Sequence, residues 1–479
     1  MNFSIRLKTP IETKRDLSLI YTPGVGECCI KIKENSETAM ELTNKANSIA
    51  VLAYKKEHKK ASEIAKKYLE NGFSAYPIII DETKIDINYL AESLMPSFAY
   101  FDTSLIQEIT SKKINTTIPQ SSKKAEKLNK ETLPPDTKEA SLILHKTLNG
   151  VIEQTISSTP CKPVGVVSNG SAVLGFGNIG ADAAMPVMEG KAALFKKFGE
   201  VDAIPVCIKA NNIEDFKEIT RAIAPSFSGI NLEDICAPDC FETEQFLSEN
   251  TTIPIFHDDQ HGTAIIVLSA LINATKLIEK SPNQTKIVFS GAGAAAIAVC
   301  KLLLAYGFSD ITMCDIDGIL YQGRPSNNPY LEEMAQKTNH QNLKGSLSDA
   351  IQDADVFIGL SAKDVLKKEM IQKMNKKPVV FSLANPNPEI MPDIAKEAGA
   401  YIVATGRSDF PNQINNCLVF PGIFKGILKS GKKIITEEIK LITAKALASK
   451  VKVPSTKNIV PDSLDMEVAD IIADAICNA

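Results

Sequence analysis

The stretch Lys286–Asp315, KIVFSGAGAAAIAVCKLLLAYGFSDITMCD, decides the fold. A β-type run, KIVFS, meets a glycine-rich turn and an apolar helical pattern, and a second run, ITMCD, closes on an acid. Gly291 permits a tight turn, Gly293 lets backbone amides approach a pyrophosphate, and Ala296 lets the helix pack closely on the sheet. The window Gly291, Ala292, Gly293, Ala294, Ala295 and Ala296 therefore reads as a dinucleotide cradle. Asp315 stands 24 residues after Gly291, where an acid would meet the adenosine ribose hydroxyls. With Asp317 beside it and no adjacent Arg or Lys, the site is expected to repel a 2′-phosphate, favouring NAD over NADP.

Working outward, further short apolar runs at Val356–Leu360, Val379–Leu383 and Tyr401–Ala404 alternate with helical stretches. Strands separated by helices imply a parallel sheet covered on both faces, so the class is α/β with a Rossmann-like doubly wound domain over residues 276–430. A helical segment, 431–479, follows it. Upstream, residues 1–275 read as a second α/β domain, with apolar runs Ala203–Ile208 and Ile253–Phe256 and a long apolar helix at Thr263–Leu277 leading onward. Its density of Gly, Asn and acids after Val164 is that of backbone bending around a ligand.

At 479 residues, the chain is long enough for two or three packed units. Its 44% hydrophobic and 23% charged content is ordinary for a globular protein, and a net charge of −4 lacks the basic excess of a nucleic-acid binder. No run approaches the roughly 18 apolar residues of a membrane span, and the first residues lack a cleavable apolar leader. A cytoplasmic protein without a membrane partner is expected. Ten cysteines without a CxxC pair, several in apolar stretches (Cys207, Cys300, Cys314), read as reduced, buried thiols.

Residues 111–140 are polar, contain Pro119, Pro134 and Pro135, and read as a linker. Before them, Tyr54–Asn71 places Tyr54, Ala61, Ile64, Ala65, Tyr68 and Leu69 on one helical face. A degenerate repeat can be read across 54–108, with coincidence as the alternative. The stretch from Ala75 can be laid on that from Ala203 with one extra residue in the second copy, matching Pro77 with Pro205, Ile85 with Ile213, and Pro96, Ser97 and Phe98 with Pro225, Ser226 and Phe227. Where the second copy has Glu233 and Asp234, the first has Ser104 and Leu105, so the first would lack a metal site.

Two acidic pairs stand out, Glu233–Asp234 in GINLEDI and Asp258–Asp259 in IFHDDQHGT. Each follows an apolar run and precedes a turn, which lets oxygens from two loops converge on a hard cation, magnesium or manganese. Capping of helices is the plainer alternative for either pair. His257 and His261 lie four apart, but DDQ lacks the glutamate of a zinc-protease helix, and Gly262 favours a loop. Lys191, in PVMEGKAALFKKFG, opens an apolar helical pattern. Burial near a cation would lower its pKa towards that of a usable base, whereas a lysine at a helix start is otherwise structural or solvated.

Together the blocks YTPGV, GSAVLGFGNIGADAAMPVMEGKA, GINLEDI, IPIFHDDQHGTA, GAGAAA, LANPNPEI and TGRSDFPNQINN with FPGIF resemble malic enzyme of the smaller bacterial type, over Asp16–Val51 and Val164 to about Gly426. The resemblance implies oxidative decarboxylation of malate to pyruvate and carbon dioxide, with the N-terminal domain holding substrate and metal. It implies Glu233, Asp234 and Asp259 as metal ligands, Lys191 as general base, Tyr21 as general acid and Asp258 as a group tuning the lysine. It also implies Asn385 and Asn416 at substrate and nicotinamide, and a homodimer. About 112 residues, Leu52–Pro163, interrupt the resemblance as an insertion, either a regulatory or dimer-forming subdomain or inert decoration. A malolactic-type lyase with bound NAD and a non-catalytic metabolite sensor on the same fold are the rival readings; a simple malate dehydrogenase would not need the acids.

Overall fold

The computed structural model describes residues 2–8, 10–21, 24–81, 85–106, 111–117, 152–157, 162–173, 175–326 and 328–479. Two compact units emerge, Met1–His257 with Gly431–Ile434, and Asp258–Ser430 with Ile435–Ala479. The expected linker at 111–140 falls largely outside the described residues.

The first unit begins with β1 (Asn2–Leu7), α1 (Lys14–Ile20) and α2 (Gly26–Glu34). There follow β2 (Ser48–Tyr54), α3 (His58–Glu70), β3 (Ser74–Ile80), α4 (Ile87–Leu94) and β4 (Tyr100–Leu105). These three strands make a parallel sheet in the order β3-β2-β4. Tyr54, expected on a helix, ends β2, and α3 seats Ala61 and Ala65 against Val51 and Ala53. Next come β5 (Ile152–Ser157), antiparallel to β1, then β6 (Val164–Ser168) and α5 (Gly180–Gly199). The unit closes with β7 (Ala203–Cys207), α6 (Ile213–Ile223), β8 (Gly229–Leu232), α7 (Asp239–Asn250) and β9 (Ile255–His257). This second parallel sheet has the order β7-β6-β8-β9. Strands such as VGVVS and AIPVC are buried at every residue, the pattern of a sheet covered on both faces. Helix starts are capped locally; Asn212 accepts from the Asp215 amide at 2.8 Å, with Glu214 and Asp215 at the positive end of α6.

The second unit opens on one continuous helical run. Asp258–Gly262 form a wide π turn that passes directly into α8 (Thr263–Ile278). The loop expected at Gly262 is instead helical, and glycine fits there because a Cβ at 262 would lie 1.9 Å from Oδ1 of Asp258. By length and composition Asp258–Ile278 passes as a membrane span, but 78% of its apolar window is buried in protein, so it is a core helix. Asn273 on α8 donates to the carbonyls of Ala448 at 2.9 Å and Ile459 at 3.0 Å, fastening the C-terminal segment to it. The compact units thus divide at His257 rather than at residue 275, and the C-terminal helices are not a separate piece. A helix apolar all round cannot serve as a solvated connector.

Behind it stand β10 (Lys286–Ser290), α9 (Ala294–Tyr306), β11 (Asp310–Asp315), β12 (Gly318–Ile319), β13 (Val356–Gly359), β14 (Val379–Ser382) and β15 (Ile402–Thr405). The sheet order is β12-β11-β10-β13-β14-β15, parallel except for the short β12. This is the Rossmann-like arrangement expected, with the β10–α9 turn at the point where strand order reverses. Phe289, Phe357 and Phe381 fill its centre.

Glu389, in LANPNPEI, holds the carboxyl ends of two of these strands together. It is buried, and its carboxylate accepts from the Ser361 amide at 2.9 Å and the Ala384 amide at 3.1 Å. Glycine at 359 makes room, since a Cβ there would lie 2.4 Å from the Glu389 carboxyl carbon. Glu389→Ala would orphan both amides and is expected to cost about 2–4 kcal/mol in chemical denaturation of the second unit. Burial raises the Glu389 pKa above the ordinary carboxylate value, against the pull of its amide donors. A raised folded pKa favours the protonated fold, so this group's contribution is fullest below the unfolded value and declines as pH rises through the folded one. Stability measured from mildly acid to neutral pH should therefore carry a downward component that Glu389→Gln removes.

Candidate active site

In the first unit, chemistry gathers at the carboxyl end of β8. The strand's buried run GINL delivers Glu233 and Asp234 directly after Leu232. Glu233 is 2% exposed and its amide donates to the Val167 carbonyl at 3.0 Å, which keeps it in sheet register. Asp234 takes φ +54°, a left-handed conformation that Asp tolerates better than most residues. That turn lets consecutive residues present carboxylate oxygens within 4.8 Å of each other instead of on opposite faces. Asn231 holds the far side of Glu233, donating Nδ2 to Oε2 at 3.2 Å.

Lys191 approaches from α5. It is wholly buried and sits in the middle of the helix rather than at its start, because α5 begins at Gly180 and continues through Pro186 and Gly190. Those two weak helix formers hide the true N-terminus in the sequence. Its Nζ forms a buried ion pair with Oε1 of Glu233. Tyr21 completes the group from the end of α1, with its hydroxyl 3.5 Å from Oε1 of Glu233 and its ring centroid 5.6 Å from the Lys191 Nζ. Gly190 allows that approach: a Cβ there would lie 2.1 Å from the Ile20 carbonyl oxygen. Glu189, beside it and equally buried, accepts from the Asn44 amide at 2.6 Å. Sequence reasoning passed over Asn231, Glu189 and Gly190; the adjacency of the last two to Lys191 in MEGKA was the available signal.

In the second unit, Asp258 is buried at the first turn of the helical run and Asp259 follows it, partly exposed. Asn416 donates its side-chain amide to Oδ2 of Asp258. Asn385 lies at the end of the β14 loop, close enough to residue 406 that only glycine fits there, with a Cβ 2.7 Å from Nδ2 of Asn385. At the glycine-rich turn, Gly291 has φ +111° and its amide donates to the Cys314 carbonyl at 2.8 Å. A Cβ on Gly291 would lie 2.2 Å from the Leu360 carbonyl oxygen, whereas one on Gly293, the residue capping α9, would meet nothing within 4 Å. Gly293 therefore leaves open space at the N-terminus of α9, and Ala296 on that helix is buried.

Asp315 ends β11 as expected, but it has an arginine on it. Arg324 Nη2 donates to both oxygens of Asp315 at 2.8 Å and reaches Asp317 at 3.5 Å. The expectation of no adjacent Arg or Lys is therefore incorrect. The antiparallel β12 folds the chain back on β11 and returns residue 324 to the strand end.

The profile of the malic enzyme N-terminal domain matches residues 129–218, and that of the malic enzyme NAD binding domain matches residues 260–479. The first match takes in residues 129–163 of the interval read as an insertion. The chain is 48% identical over 374 residues to a bifunctional malic/malolactic enzyme of Bacillus subtilis, spanning 77% of this chain and 90% of that protein. It is 52% identical over 318 residues to an NAD-dependent malic enzyme of Geobacillus stearothermophilus, 66% of each chain. It is also 49% identical over 288 residues to an NADP-dependent malic enzyme of Escherichia coli, 60% of this chain and 38% of that one. Among solved structures, the NAD-dependent malic enzyme of Thermotoga maritima is 35% identical with a TM-score of 0.64, covering 98% of this chain and 95% of the other. Both domain profiles in order, and near-half identity across most of a full-length relative, establish that the chain belongs to the malic enzyme family of oxidoreductases.

Proposed function

We propose that the protein oxidatively decarboxylates malate to pyruvate and carbon dioxide, with NAD as the preferred carrier and magnesium or manganese as the cation. The observation that supports this most is the buried trio of Tyr21, Lys191 and Glu233: a phenol and an amine on one carboxylate, with Asp234 next to it. The donor set fits a hard cation, since carboxylate oxygens are what magnesium and manganese prefer. Leu232 and His257 are register partners in parallel strands, and each acidic pair follows one of these strands in sequence. Asp259 is accordingly the proposed third ligand.

When bound, the cation would hold the malate hydroxyl and make it more acidic, and the nicotinamide is the hydride acceptor. The chain's own groups do the rest. Lys191, as the neutral amine, takes the hydroxyl proton and becomes the ammonium, and Tyr21 delivers a proton to C3 once the C4 carboxylate has left. Asn231 keeps Glu233 aimed. Asp258, held by Asn416, is the proposed tuning carboxylate, and Asn385 and Asn416 are proposed to meet substrate and nicotinamide. The described cysteines are all free thiols, in keeping with the proposed cytoplasmic setting.

Arg324 changes the argument for NAD rather than the preference. A ribose diol can donate to Asp315 while Arg324 holds that carboxylate in place, whereas a 2′-phosphate would have to pull Arg324 away from it. Asp315→Ala frees the guanidinium and is expected to shift the ratio of kcat/KM for NAD over NADP towards NADP by roughly tenfold or more.

The deciding assay tracks nicotinamide reduction by malate, with NAD or NADP, with and without manganese. Reduced carrier and pyruvate in equal amounts are expected. Lactate without reduced carrier would mean the malolactic-type reaction instead, and binding without turnover under every combination would mean a sensor.

A further inference from the structure

The two parallel sheets of the first unit share a three-strand plan and start in one register, the first departing at a bulge between Val51 and Ala53 against β4. In the first, Ile49 pairs with Ala75 and with Tyr100. In the second, Val164 pairs with Ala203 and with Gly229. Ala75 and Ala203 are the residues that the sequence repeat matches, and its single extra residue carries Tyr100 onto Gly229. Even the helix ends correspond: Gly72 and Glu200, matched by the same offset, both take positive φ, +88° and +57°.

Contacts between the copies are reciprocal. The Ile79 amide donates to Oγ of Ser226 at 2.7 Å, and the Cys207 amide donates to Oγ of Ser97 at 2.8 Å. Ser226 Oγ returns a bond to the Ile79 carbonyl at 3.2 Å, and Ser97 Oγ to that of Cys207 at 3.1 Å. The Asp81 amide reaches the Ala222 carbonyl at 2.9 Å, and the Lys209 amide the Ser93 carbonyl at 2.9 Å. In each case the residues exchanged are repeat equivalents, Ile79 with Cys207, Ser97 with Ser226, Asp81 with Lys209 and Ser93 with Ala222. A contact of i with j answered by j with i is the mark of a two-fold interface, here closed inside one chain.

Only one copy keeps the chemistry. At the positions of Lys191, Glu233 and Asp234 the first copy has Glu63, Ser104 and Leu105. The second copy in turn has no phenol of its own, since no tyrosine occurs between Tyr100 and Tyr306. The segment leading into the first copy lies along α5 of the second instead. Ile20 rests on Gly190, the Asn44 amide binds Glu189, and Lys45 pairs with Asp182 at 3.2 Å.

We propose that residues 2–117 are a second substrate half, stripped of its own site, that docks as an in-chain partner subunit, fills the self-complementary face of the active copy and supplies it with Tyr21. This gives residues 52–117 of the interval read as an insertion a function, and it replaces a second chain at that face. The catalytic part of the proposal rests on the role given to Tyr21 above.

The test uses the intact chain. Hydrogen exchange at the Ile79, Asp81, Cys207 and Lys209 amides is measured across a dilution series, and protection independent of concentration is expected. Protection that disappears on dilution would mean the contact joins separate chains and would overturn the in-chain pairing. Ser97→Ala and Ser226→Ala, both away from the site, should each speed exchange at both Ile79 and Cys207. Each should also lower kcat roughly tenfold or more towards the level of Tyr21→Phe, with the affinity for manganese alone unchanged by electron paramagnetic resonance. Ser97→Thr, which keeps the hydroxyl, should restore turnover. Open amides with undiminished kcat would overturn the catalytic service of the first copy. A fully active Tyr21→Phe would overturn it too, by removing the role it rests on, and would leave the exchange result standing.

Discussion

Lys191→Ala is expected to lower kcat by about 10²–10⁴-fold, the usual range for a lost general base. Lys191 is wholly buried against Glu233, and it acts as base in its neutral form, reached when the bound cation would take over the Glu233 charge that otherwise holds the lysine protonated. The change should fall on kcat far more than on KM, because a proton moved only during reaction contributes little to ground-state binding. Removing one partner of a buried ion pair also leaves a charge without compensation, a loss of about 3–5 kcal/mol in the metal-free protein. Added manganese should recover part of that stability by taking the Glu233 charge. Turnover near wild type in Lys191→Ala would reject the lysine as base, whatever its effect on folding.

Chelation of divalent cations should abolish turnover, with magnesium or manganese restoring it. The sharper version is Asp234→Asn, expected to raise the manganese concentration for half-activation by roughly 10²-fold. Asparagine is the side chain best suited to the left-handed backbone that Asp234 adopts, so the substitution removes charge and leaves the turn intact. Manganese titrated by paramagnetic resonance reads the affinity directly and separates it from catalysis. An unchanged titration would take Asp234 out of the ligand set.

The dinucleotide half could be read from the chain because its signals are local: alternating strands and helices, and glycines whose spacing is set by one turn. Glu233, Asp234, Lys191 and Tyr21 were found as residue types in motifs, and the first unit draws them together, yet their grouping depends on β8, α5 and α1 meeting across some two hundred residues of chain. Arg324 was missed because a two-residue return strand brings it back to Asp315, and so short an element has almost no periodicity. Gly262 misled because glycine usually breaks a helix, whereas here it makes room for a wide turn over Asp258. The compact units divide at His257, a point the sequence does not mark, because an apolar run reads alike as a connector's core or as the central helix of the neighbouring unit.

Reciprocal hydrogen bonding between the repeats sets where drift is tolerated. Saturation libraries should find positions 63, 104 and 105 permissive, because the first copy carries no Lys or acid pair there. Position 97, on the same degenerate module, should be as intolerant as 226. On the in-chain partner proposal, the rim bearing positions 63, 104 and 105 is expected to be less constrained than the rim bearing position 97.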